Sequence, residues 1–218
     1  MKVKLLASIG FLFLALMATA TTSAAPSSGN ITVAFIMVGF EDQDFQDEYD
    51  QDYFEDIAFA NSDSMWDYFD EVSKGALNIE GEVFGPYTLD GDADDYSSGS
   101  SFVRDSVEIA DDDIYFPDFD AVMAIHSGPG GESSGDSNDI WSAHWPSITI
   151  NTDDEDEDGN DHVIRRISQV PEYQLSNGER NPLGVWCHEF GHELGLPDYY
   201  DTDGSSEGVG NWAVMAAG

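Results

Sequence analysis

Cysteine is almost absent from this chain. Cys187 is the only one, so no intramolecular disulfide can form. Basic residues are also scarce: 7 Lys and Arg stand against 44 Asp and Glu, a formal net charge of −37. A surface of that sign is a poor partner for nucleic acid or for an anionic membrane. It also repels itself well beyond what solubility requires, and salt screens such repulsion. The composition therefore points to a halophilic or marine setting, with divalent cations such as Ca2+ as the other compensator. No apolar run after residue 20 is long enough to span a bilayer, and neither an internal repeat nor an interdomain linker is visible. A disordered acidic chain is excluded by what remains, 41% apolar and 12% aromatic residues. Residues 25–218 suffice for one domain with a substantial core.

The first residues set the compartment. Lys2 and Lys4 precede an apolar stretch from Leu5 to Ala20, and Thr22-Ser23-Ala24 and Ser23-Ala24-Ala25 are small-residue cleavage sites. Residues 1–24 are expected to be a secretory signal peptide, too short and too soon polar for a membrane anchor. The mature domain is expected outside the cell and off the membrane.

Hydrophobic patterning predicts an α/β (α+β) organisation. Ile31 to Gly39 reads as a buried strand, Leu77 to Val83 as an alternating one, and Asp120 to His126 and His162 to Val170 as two more. A short helix is expected near Tyr53 to Ala60. Ser62 or Asp63 could cap a second, with Met65, Phe69 and Val72 inward and Gly75 at its end. Val103, Val107, Ala110 and Ile114 mark a third.

The run His188-Glu189-Phe190-Gly191-His192 carries the chemistry. Helical residues four apart share a face, so His188 and His192 can present two imidazoles to one metal ion, and Glu189 is placed to act as general base on a metal-bound water. Asn181-Pro182 is a helix start, and Leu183, Trp186, Phe190 and Leu194 would bury the opposite face. Gly195 supplies a positive φ that stops the helix, and Pro197 prevents it from resuming. Zinc needs three protein ligands before water takes a fourth place. After the turn Asp198 can swing back as the third. The alternative is Glu207, which sits in a Gly/Ser-rich stretch. The spacing H-E-x-x-H-x-x-G-x-x-D resembles the metzincin signature with Asp at the third ligand position, and Met215 follows where that group places a methionine turn.

Other residues carry weaker signals. Cys187 adjoins His188, but neighbouring helical positions diverge by about 100°, so a small buried residue is expected rather than a ligand. Asp154, Asp156, Asp158 and Gly159 imitate the front of a calcium loop, yet Arg165 stands where its bidentate Glu should be. Asp90, Asp92 and Asp94, and Asp201 with Asp203, are similar; solvated acidic loops are the preferred reading for each. His126 and His144 are expected to be packed or hydrogen-bonded, and His162 to pair with the acidic run before it.

With these motifs in place, the chain from about Ile31 to Gly218 resembles the immune inhibitor A family of secreted bacterial metallopeptidases. The resemblance rests on HEFGHELGLPDYYDTDGSSEGVGNWAVMAAG, on Ser127 to Glu132, on Asp139 to Trp145 and on the Trp66 to Leu89 stretch. It implies a zincin or metzincin-like fold with a mixed sheet, and a zinc endopeptidase acting on protein or peptide substrates, often stabilised by calcium. It also implies zinc ligands His188, His192 and Asp198, general base Glu189, and a cleft wall from Gly128 to Gly135. Family members usually carry a propeptide and continue past the methionine turn, so the catalytic domain at 25–218 is expected to be incomplete at its C-terminus. The competing expectation is a secreted metal-binding or adhesive module with an incomplete, inactive protease site.

Overall fold

A computed structural model describes residues 25, 27–175, 180–201, 203, 205–206 and 208–216. The leader at 1–24 and the alternative ligand Glu207 lie outside the described residues. In chain order, strand β1 (Gly29–Phe40) is followed by helices α1 (Gln51–Phe59) and α2 (Met65–Ser73) and strand β2 (Leu77–Leu89). Helix α3 (Ser101–Ala110), strand β3 (Ala121–Pro129), a single turn α4 (Gly131–Ser134) and strands β4 (Ala143–Trp145), β5 (Ile150–Glu155), β6 (Asp161–Ile164) and β7 (Ile167–Tyr173) come next. Helix α5 (Leu183–Glu193) completes the series.

Five strands form one mixed sheet in the order β2-β1-β3-β7-β4, parallel except for β4, which runs antiparallel to β7. A parallel sheet needs cover on both faces, which is why β1 is an unbroken apolar run. Its side chains alternate between two cores. Ile31, Val33, Phe35 and Met37 pack with α1, α2 and α5 through Phe54, Ile57, Met65, Phe69, Trp186 and Phe190. Ala34, Ile36, Val38 and Phe40 pack on the other side with Phe102, Val103 and Val107 of α3 and with Ile150 and Ile164 of the β5–β6 ribbon.

Trp186 fixes α5 to this sheet. Its ring lies nearly parallel to Phe35 (5.2 Å, 18°) and Phe54 (5.7 Å, 13°), and its Nε1 donates to the Pro171 carbonyl at 3.1 Å. Fully buried, it should cost about 3–5 kcal/mol of stability when replaced by Ala. Urea unfolding of Trp186→Ala measures this, and a loss below about 1 kcal/mol would mean that the helix is held by other contacts.

Three expectations are corrected. The stretch His162 to Val170 is two strands in two different sheets, interrupted at Arg165-Arg166. The Arg165 carbonyl accepts the Ile148 N–H and Arg166 pairs with Glu193, so each arginine is drawn to its own partner and the ladder breaks. The cap of α2 is Ser64, neither Ser62 nor Asp63: its Oγ accepts the Asp67 N–H (3.1 Å), while the Asp67 carboxylate accepts the N–H of Asp63, one residue before the cap. Met65 and Phe69 of that helix are buried, but Val72 in its last turn is exposed. Helix α3 stops at Ala110, and Ile114 is buried beyond it, after a turn.

Candidate metal centre

Helix α5 begins at Leu183, one residue later than expected, with the Asn181 carboxamide accepting the Leu183 N–H at 2.9 Å. Trp186 and Phe190 are fully buried and hold one face down, with Leu183 and Leu194 packed more loosely against the same core. The opposite face turns His188 and His192 toward a cleft. Gly195 adopts φ +85°, donates to the His192 carbonyl (2.9 Å), and Leu196 donates to that of Gly191 (3.0 Å). Only glycine enters this left-handed turn at low cost, so the chain reverses sharply and brings Asp198 back over the histidines.

His188 Nε2 lies 3.1 Å and His192 Nε2 3.2 Å from Asp198 Oδ1. One ligand atom from each residue falls within 4.8 Å of the others, the closest cluster of this kind among the described residues. The outer ring nitrogens give a test of what fits there. His188 Nδ1 is 2.9 Å from the Val214 carbonyl and His192 Nδ1 2.8 Å from the Leu196 carbonyl. A carbonyl only accepts, so both Nδ1 atoms carry a proton, which leaves the Nε2 atoms as the ones that can offer lone pairs to a metal. Two such lone pairs and the Asp198 oxygen converge on one point, where a cation would be held by all three. Two imidazoles and a carboxylate form a donor set that suits zinc.

Glu189 is 6% exposed and lines the same cleft. Burial, with the Glu132 and Asp198 carboxylates adding, pushes its carboxyl up to about 8. A cation at the three ligands would draw it back toward the ionised form. Behind it, the buried Ser168 hydroxyl donates to the Glu189 carbonyl (3.3 Å) and accepts from His144 Nδ1 (3.0 Å). Burial first, then His192 and Arg166, lowers His144 to about 4, so its ring is neutral. His144 is thus packed and hydrogen-bonded as expected, yet it also stands in the cleft wall, its ring 6.0 Å from that of His192. Glu193, next along the helix, is buried and tied to Arg166 at 2.7 Å.

Met215 packs beneath α5 at Gly191. A Cβ on Gly191 would overlap its sulfur, which accounts for a glycine in mid-helix where alanine would favour the helix by about 1 kcal/mol. The Tyr199 N–H donates to the Met215 carbonyl at 2.7 Å, tying the turn to the segment that carries Asp198.

The cleft encloses about 1170 Å³. Glu132 and Ser133 form part of one wall, within the expected Gly128–Gly135 loop, and Trp141 to His144 continue it. Sequence reasoning missed Trp141, which is 61% exposed at the rim, and Tyr200, whose ring faces that of His188 at 6.3 Å and 17°. The doubled tyrosine just after Asp198 was the available signal for the second. Cys187 is buried in the core as expected, and burial raises its thiol to about 12. His126 is buried against Phe102, its Nδ1 3.0 Å from the Ser127 carbonyl. His162 makes no ion pair within 4 Å among the described residues, but it lies close enough to the acidic turn to act on Asp156, whose carboxyl is held below its usual range by hydrogen bonds from Asn160 first, and also by the Asp158 N–H and the charge of His162. Asp154 accepts the Phe116 N–H at 2.9 Å, a long-range tie between the ribbon and the segment before β3.

A mixed α/β domain with this cluster in its main cleft fits a peptidase domain. Residues 109–218 match the family model described as the immune inhibitor A peptidase M6 catalytic domain, and the chain belongs to that family. Among curated proteins it is 28% identical to Immune inhibitor A of Bacillus thuringiensis subsp. alesti, over 81% of this chain and 32% of that protein. It is 26% identical to the Pre-pro-metalloprotease PrtV of Vibrio cholerae serotype O1, over 79% of this chain and 24% of that protein. The chain therefore spans about a third of the first relative and a quarter of the second.

Proposed function

We propose that this protein is a secreted zinc-dependent endopeptidase. The observation that carries the reading is the convergence of two imidazole Nε2 atoms on one Asp198 oxygen, with both Nδ1 protons given away to backbone carbonyls. The family membership and the relative named as a metalloprotease support it. His188, His192 and Asp198 are the ligands, and Met215 is the methionine of the turn beneath them. When bound, zinc supplies Lewis acidity, lowering the pKa of a coordinated water and polarising the scissile carbonyl. Glu189 is the general base: it takes the proton of the attacking water and passes it to the leaving amine. Ser168 and His144 steady the Glu189 main chain from behind.

The substrate is an extended peptide. Strand β4 ends the sheet and lines the cleft, so its outer edge offers backbone donors and acceptors to a chain lying alongside. No described helix is long and apolar enough to cross a membrane; export by the leader at 1–24 is part of the proposal. Calcium remains an expectation from composition and from the family resemblance, and among the described residues the acidic clusters form no converging ligand set besides the one at His188, His192 and Asp198. The test is zinc K-edge absorption of the loaded protein, which should report two imidazoles with the remaining ligands oxygen at about 2.0–2.2 Å. A sulfur ligand at about 2.3 Å would contradict the assignment.

A further inference from the structure

Glu132 is the acidic residue of the cleft that the proposed chemistry leaves unused. Its carboxylate is held by three neutral donors: the Ser142 N–H (3.1 Å), the Ser142 hydroxyl (2.8 Å) and the Gln174 amide (2.5 Å). No Lys, Arg or His among the described residues lies within ion-pair distance of it. Among the described residues, no Lys or Arg lines the cleft. A carboxylate has about four acceptor sites, so three bonds leave one open, and hydrogen bonds from neutral groups hold its charge without cancelling it. The side chain is only half-buried and forms part of the cleft wall. The exposed rings of Trp141 and Tyr200 line the same cleft, and aromatic faces attract cations. The wall thus presents a tethered carboxylate with no basic side chain of the described residues paired to it, in a cleft that two aromatic rings also line.

We infer that Glu132 is a specificity determinant that selects substrates carrying a lysine or arginine side chain close to the scissile bond. The inference rests on the peptidase reading above and names the substrate class for that site. A cationic side chain reaching Glu132 completes a charge-assisted hydrogen bond in a partly desolvated wall, and an acidic one is repelled there. The overall charge of the protein would also favour cationic peptides, but by long-range attraction that molar salt screens beyond about 3 Å. A contact at Glu132 survives such salt better.

The test uses internally quenched peptides that differ only in having lysine, norleucine or glutamate at each position within three of the cut. They are assayed in molar salt with the zinc-loaded protein, with Glu132→Gln and with Ser142→Ala. Ser142→Ala removes one of the tethering donors and keeps the charge. At one position the parent should favour lysine over glutamate by about tenfold in kcat/KM. Glu132→Gln should bring that ratio to within about twofold of unity, and Ser142→Ala should keep it. Binding of the same peptides to zinc-loaded Glu189→Ala, followed by tryptophan fluorescence, should show the same preference in Kd. A parent indifferent to lysine and glutamate, or a ratio unchanged in Glu132→Gln, overturns the inference. So does an equal loss in Ser142→Ala, which would make Glu132 a structural tie. If the parent cuts neither casein nor any peptide, the peptidase reading fails, and the Kd values, extended to Glu132→Gln, still decide the role of Glu132.

Discussion

Glu189→Ala is expected to keep its zinc and lose casein cleavage by about 10²–10⁴-fold, the usual contribution of a positioned general base. The two effects separate because Glu189 takes no part in the outer hydrogen bonds of the two histidines, which end on Val214 and Leu196. The imidazoles should therefore stay oriented when the carboxylate is gone. What is removed is a carboxylate buried to 6% exposure, one residue along the helix from a ligand and inside the same cleft. Zinc content by elemental mass spectrometry and kcat on casein check the prediction together. Undiminished cleavage would show that another group moves the proton.

Asp198→Ala should have the largest effect on the metal itself. Mutating residues that merely orient ligands costs roughly 10–100-fold in affinity, so losing a ligand should exceed about 100-fold. The structural reason is that His188 and His192 both face a single Asp198 oxygen, at 3.1 and 3.2 Å. Without it, two neutral imidazoles remain, and neither supplies the negative charge that favours a divalent cation. Competition with a chromophoric chelator measures the change. Retention of full zinc occupancy at chelator concentrations that strip half of the parent's metal would remove Asp198 from the ligand set.

Much of the fold was legible because burial leaves a pattern in the residues. Strand β1 could be read from Ile31 to Gly39, since a parallel strand covered on both faces must be apolar throughout. Helix α5 and its stop at Gly195 were legible for local reasons, a positive φ being written in one residue, while its start fell one residue past the expected Pro182. Local patterns do not say which sheet a strand joins. His162 to Val170 therefore read as one strand, although β6 pairs with β5 and β7 with β3 and β4. The cap at Ser64 was missed by one or two positions, because neighbouring Ser and Asp residues are all good caps and only the Ser64 Oγ accepts the Asp67 N–H.

The candidate site divides the same way. His188, Glu189, His192 and Asp198 lie within eleven positions, and helix geometry plus one turn brings them together. The wall opposite is built from α4, the lead into β4 and the end of β7, which meet only through tertiary hydrogen bonds such as those on Glu132. Trp141, Tyr200 and the free charge of Glu132 had no periodicity to announce them. His144 shows the limit most clearly. Its flanking aromatics rightly suggested packing, but its place beside His192 follows from β4 pairing antiparallel with β7.

The central claim, peptide hydrolysis at a metal held by His188, His192 and Asp198, is tested most directly by removing and restoring the metal. The protein would be assayed on casein in molar salt as purified, after exhaustive chelation, and after one equivalent of zinc is added back, with metal content measured at each step. The account predicts about one zinc per chain, cleavage lost with the metal, and cleavage recovered at the single equivalent. Cleavage that persists in the metal-free protein would contradict it. One zinc per chain with no cleavage at any step would contradict it as well, and would favour a metal-binding module with an incomplete protease site.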